Sequence, residues 1–179
     1  MKCKYGVFVI VALLFVSCAA TKDNLNVTES YSLISSSFQL TKDAHKEINE
    51  RYLAALHALS NNQNAVVDIK GLNSLLDSAK SANQKSSAML DLAGEINSTK
   101  YKETASKYIN LLDKLYNNEY RKYIVVLSGQ TEGKLERAEK LLQSRQVELE
   151  RLDKKFLLAA NEVHEKYQLQ ITDSSKMSK

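Results

Sequence analysis

Proline is absent from the 179 residues of this chain, and glycine occurs only five times. Proline presets turns and glycine supplies the left-handed backbone of tight reversals, so a chain nearly without them has little means of building many hairpins or corners. Lys, Glu, Leu, Ala, Gln and Ser are abundant instead, and most of these are good helix formers. The combination predicts few, long helices and few reversals: an all-α fold, as an elongated antiparallel bundle of three or four long helices with coiled-coil-like packing. The length fits one such domain, expected over residues 31–172.

The apolar positions carry the matching period. Ile34, Phe38, Thr41, His45, Ile48, Tyr52, Ala55 and Leu59 follow alternating steps of four and three, with Thr41 and His45 as polar interruptions. That helix is expected to end near Ser60, before the polar run Asn61-Asn62-Gln63-Asn64. A second helix is expected from Ala65 to Asn97, with Val66, Ile69, Leu72, Leu76, Ala79, Met89, Leu92 and Ile96 on its apolar side. Its middle, Ser78 to Ser87, is small and polar, which either weakens packing or lets a neighbour approach closely.

Asn97-Ser98-Thr99 reads as a turn and cap. A third helix then runs from Lys100 to Leu127, with a stripe of Tyr101, Ala105, Tyr108, Leu112 and Leu115. The stripe continues as Tyr116, Tyr120, Tyr123 and Leu127, so its phase shifts between Leu115 and Tyr116. Ser128-Gly129-Gln130-Thr131 supplies a left-handed glycine to end that helix and a Thr to cap the next. The fourth helix carries Leu135, Ala138, Leu142, Arg145, Leu149, Leu152, Phe156, Ala159 and Val163, a heptad seam broken at Arg145. At about 40 residues it would be about 60 Å long. Residues 173–179 form a polar, disordered tail.

The first residues have a different layout. Lys2 and Lys4 precede an uncharged run, Gly6 to Ser17, too short to span a bilayer, which needs roughly 20 apolar residues. The run closes on Leu14-Phe15-Val16-Ser17-Cys18, which resembles the lipobox of bacterial lipoproteins. Ser17 and Cys18 fit that pattern, and Phe15 stands where the family has an aliphatic residue, with Leu14 one place further out. The resemblance implies removal of residues 1–17, a diacylglycerol thioether on the Cys18 sulfur, and an acyl chain on the new amino group. Residues 18–30 would form a lipidated tether. Ala19 follows Cys18 where an Asp commonly retains such proteins at the inner membrane, so the resemblance favours the outer membrane or cell surface. The Lys/Asn/Ser-rich, proline-free, helical composition is also similar to small surface lipoproteins of spirochaetes.

Processing would change the composition. Loss of Lys2 and Lys4 lowers the net charge from +4 to +2, a near balance that gives no case for nucleic acid. Of the two cysteines, Cys3 would leave and Cys18 would carry lipid, so stability would rest on packing without disulfides. Lys42, Ala54 and Asn161 stand three places before His45, His57 and His164, so the Glu-x-x-His pattern of di-metal bundles is missing and no metal is expected. The chain has no G-x-S-x-G and no phosphate-binding glycine loop. It reads as a non-enzyme with no cofactor beyond the covalent diacylglycerol and acyl chain on Cys18.

One cluster suggests a partner surface. Tyr116, Tyr120 and Tyr123 stand at four- and three-residue steps beside Arg121 and Lys122, and a tyrosine patch rimmed by charge suits a protein interface. The alternative is that these rings pack between helices with their hydroxyls at the rim. Arg145 would pair with a carboxylate, reach the edge, or mark where the last helix leaves the bundle. The expected function is membrane-anchored binding of another protein at the envelope or surface. The alternatives are an accessory lipoprotein of a periplasmic assembly and a carrier of an apolar ligand, the small residues of Ser78 to Ser87 being the one hint of a cavity.

Overall fold

A computed structural model describes residues 26–62, 65–96, 99–128 and 134–169. The processing site, Cys18, the Gly129 turn and the tail lie outside the described residues, as do Asn97 and Ser98. The described chain is all-α: α1 is Val27–Asn61, α2 Ile69–Leu92, α3 Thr99–Lys114, α4 Arg121–Ser128 and α5 Lys134–Tyr167. A π-helical segment, Leu115–Tyr120, joins α3 to α4, so these three pieces form one long arm of a four-armed antiparallel bundle. Among the described residues no helix is long and apolar enough to cross a membrane.

The first helix begins earlier than its apolar stripe suggests. Asn26 accepts a hydrogen bond from the Glu29 amide at 2.9 Å, and Glu29 accepts one from the Asn26 amide at 3.1 Å. This capping box satisfies two of the amides that every helix start leaves unpaired. The expected tether is therefore shorter: Val27 to Ser30 are helical, and Ser30 is buried, accepting from the Gly94 amide at 3.1 Å. The second helix is shorter at both ends. Asp68 caps its start by accepting from the Gly71 amide at 2.9 Å, and a Cβ at residue 71 would require that carboxylate to shift. Its end turns out of helical conformation at Ala93, which leaves Leu92 exposed while Ala93 and Ile96 are buried.

The long helices bury the expected faces with small drifts. In α1 the buried set is Ser30, Ile34, Ser37, Phe38, Thr41, His45, Ile48, Tyr52, Leu56 and Leu59. Leu56 replaces Ala55 because a 3.6-residue turn drifts against a 3.5-residue repeat. In α5 Leu142, Leu149, Leu152, Phe156, Ala159 and Val163 are buried as their spacing predicts. Helices α1 and α2 make the most extensive pair, and α5 lies mainly on α3. The small stretch in α2 serves that pairing: Ala79, Asn83 and Ser86 are buried, while Ser78, Ser81 and Ala82 line a surface groove with Leu40.

Candidate functional site

The π segment is where the chain departs from a regular bundle. Continued in the α3 register, the stripe of Leu112 and Leu115 would next turn Glu119, Lys122 and Val126 inward. Burying Lys122 and Glu119 in an apolar interior would cost several kcal/mol apiece if unpaired. The wider π turn absorbs one extra residue instead, so Tyr116, Tyr120, Tyr123 and Leu127 face the core and Arg121 and Lys122 stay exposed. The phase shift between Leu115 and Tyr116 is the sequence trace of that insertion.

This placement corrects the expected tyrosine patch. Tyr116 and Tyr120 are wholly buried and Tyr123 nearly so, and Arg121 and Lys122 point away from them to solvent. The five residues therefore do not share one surface. The rings pack on α1: Tyr52 lies 5.8 Å from Tyr120 and 5.4 Å from Tyr123, centroid to centroid, and His45 lies 6.1 Å from both Tyr116 and Tyr120. Each such contact contributes about 0.5–1.5 kcal/mol beyond simple burial.

The polar atoms inside this cluster divide into paired and unpaired. Tyr120 donates to Asn49 Oδ1 at 3.0 Å and Tyr123 donates to Glu119 Oε2 at 3.1 Å. Arg145 donates to Glu119 Oε1 at 3.2 Å and to Glu148 at 3.1 Å, so the break in the α5 seam holds α5 to the π segment. One turn below, Thr41 donates to Asn83 Oδ1 at 2.5 Å, and Asn83 donates to the Ile109 carbonyl at 3.1 Å, which ties α1, α2 and α3 together. Neither ring nitrogen of His45 has a hydrogen-bond partner among the described residues, and the hydroxyls of Tyr52 and Tyr116 have none either. A core histidine is expected to be hydrogen-bonded; this one is not.

Burial sets the charge state of these groups. It lowers His45 to about 4, so the imidazole is neutral near pH 7. It raises the phenols of Tyr52, Tyr116, Tyr120 and Tyr123, which stay protonated. The site is an uncharged aromatic and imidazole cluster closed by an ion pair at its edge. Among the described residues no three of His, Cys, Asp and Glu come together as a metal site would require.

The sequence singles out the tyrosines but not Asn49 and Glu119, which hold Tyr120 and Tyr123, nor Asn83, which links Thr41 to the Ile109 carbonyl. Glu119 stands four residues before Tyr123, a spacing that places both on one helical face and is the signal that points to it. Cys18, the other expected site, lies outside the described residues. No family model, no curated protein and no solved structure matches this chain.

Proposed function

We propose that the chain is an exported lipoprotein, tethered through a lipidated Cys18, whose bundle binds another protein without catalysis. The observation that carries this reading is Leu14-Phe15-Val16-Ser17-Cys18 at the end of an uncharged run that follows Lys2 and Lys4. Two or more acyl chains on one residue would hold a protein firmly at a membrane, whereas a single chain binds marginally. The bundle geometry suits a tethered binder. α1 opens at Val27, close after Cys18 in sequence, so an anchor on Cys18 would attach near the end that also holds the close of α2 and the start of α3.

With 35 residues in α1, the opposite end stands about 50 Å away at 1.5 Å per residue. That end carries a groove of about 470 Å³ in which Ala54, Ala55, Ala58 and an almost fully exposed Val66 stand beside the charged Glu47, Arg51 and Asp68. An exposed surface of this mixed kind, remote from the anchor, is where a protein partner would meet least interference from the membrane.

The test is a pair of substitutions. Cys18→Ser should abolish acyl labelling and release the protein from membranes, while Cys3→Ser should do neither. A Cys18→Ser protein that is cut normally and still pellets after a high-salt wash would overturn the proposal. Protease treatment of intact cells then distinguishes surface display from periplasmic residence.

A further inference from the structure

We propose that the π segment and α4 form an acid-released element, held closed by neutral His45 and freed from α1 when that imidazole takes a proton. The inference does not depend on the lipid anchor or on any partner. It starts from the packing. His45 is inside the bundle, with both ring nitrogens unpartnered, and faces the rings of Tyr116 and Tyr120. A protonated ring has two donors and a full charge, and there it meets phenols whose hydroxyls are neutral. It therefore has no anion to pair with inside the closed cluster.

The charged groups on the surrounding elements are engaged elsewhere. On α1, Lys42 pairs with Asp153 of α5 at 2.7 Å, Asp43 accepts from Gln39, and Lys46 faces Glu50 at the surface; Glu47 is exposed. On the π segment, Glu119 is bound by Arg145 of α5, which also binds Glu148. On α2, Ala79 and Asn83 are buried, Asp77 is exposed and Lys80 half-buried, and on α3 the phenol of Tyr108 is buried while Lys107, Asp113 and Lys114 are exposed. None of these shifts His45; burial alone does.

The element that gives way is the one built for it. The arm changes from α to π geometry at Leu115 and back at Arg121, and π insertions are places where helices kink and where functional sites recur. Its hold on α1 runs through Tyr116 and Tyr120, which contact His45, through Tyr120 and Tyr123 on Tyr52, and through the bond from Tyr120 to Asn49; it also packs on α2 and α5, where Arg145 holds Glu119. Opening residues 115–128 would let the imidazole reach water while α1, α2, α3 and the Thr41–Asn83–Ile109 link stay in place.

Hydrogen exchange on the full chain, read by mass spectrometry at pH 7 and pH 5 and corrected for intrinsic exchange rates, tests this. For a group that titrates near 4 when closed and near 6.5 when open, the opening equilibrium should rise roughly 20-fold between those pH values. Amides of Leu115 to Ser128 should accelerate by that factor and stay the less protected at both pH values, while those of Leu72 to Leu90 and Tyr101 to Leu112, which open only in global unfolding, should remain markedly slower. His45→Phe should remove the acceleration, and His45→Gln, which keeps a neutral polar side chain, serves if the phenylalanine does not pack. Protection of Leu115 to Ser128 equal to that of the other helices, no acceleration, or acceleration that persists in the folded His45 variant would each overturn the proposal.

Discussion

Replacing Tyr120 and Tyr123 together by alanine is expected to lower the melting temperature by roughly 10–20 °C, or to leave the chain unfolded. Tyr120 is fully buried and Tyr123 is 4% exposed. Truncating one large buried aromatic costs about 3–5 kcal/mol, through lost transfer free energy and the cavity left behind. The two rings are 5.8 Å apart, so the two costs couple rather than add. Even one such loss is a large part of a total stability of about 5–15 kcal/mol. For a domain of this size each kcal/mol moves the midpoint by about 2–4 °C. Arg121→Ala with Lys122→Ala, on the exposed side of the same arm, should change stability by less than about 0.5 kcal/mol apiece. Thermal unfolding followed by circular dichroism decides it: a tyrosine pair variant that melts with the parent would return these residues to the surface.

The second large effect is acid destabilisation through His45. Burial lowers its folded value to about 4 from an ordinary 6.5. In that window the unfolded chain binds a proton that the folded chain does not, so stability rises with pH. The contribution is therefore complete above about pH 6.5 and is lost progressively as pH falls to about 4. Full protonation costs on the order of 3 kcal/mol, at about 1.4 kcal/mol for each tenfold loss of proton affinity on folding. Urea midpoints measured at intervals between pH 7 and pH 4 should fall along this course in the parent chain. His45→Phe should flatten the His45 part of the slope. An unchanged slope would mean that His45 is not buried as described.

Much of the fold is readable in the residue order, and the failures have local causes. The bundle and its inward faces follow from period and from the scarcity of turn residues, because helical packing repeats a pattern that a single chain displays openly. The start of α1 is hidden by a short local device: Asn26 and Glu29 cap one another ahead of the first strongly apolar position. The end of α2 depends on tertiary contact, since Ala93 and Ile96 leave the helix and are nevertheless buried.

The tyrosine arm is legible in the residue order as a phase shift, which by itself reads as a change of face. A helix confronted with an extra residue can rotate its stripe or widen one turn. The choice rests on what rotation would bury, here Lys122, and on what Glu119 can pair with on α5. Arg145 shows the same dependence. A charge in a heptad seam reads as a flaw until Glu119 and Glu148 are seen beside it. The unpartnered state of His45 has no signature in the sequence at all, because it is a property of what surrounds the ring.

The closed tyrosine core is tested most directly by ultraviolet titration of the phenols. Tyr52, Tyr101, Tyr108, Tyr116, Tyr120 and Tyr123 are all raised above the ordinary value of 10, chiefly by burial. For a raised group the unfolded state loses its proton first, so stability falls as pH climbs past about 10. Absorbance near 295 nm, recorded alongside helical circular dichroism as pH is raised, should show these six ionising together in one cooperative step that coincides with loss of helix. Their smooth, reversible ionisation near pH 10 with the helices intact would contradict the account, since it would place the rings in water.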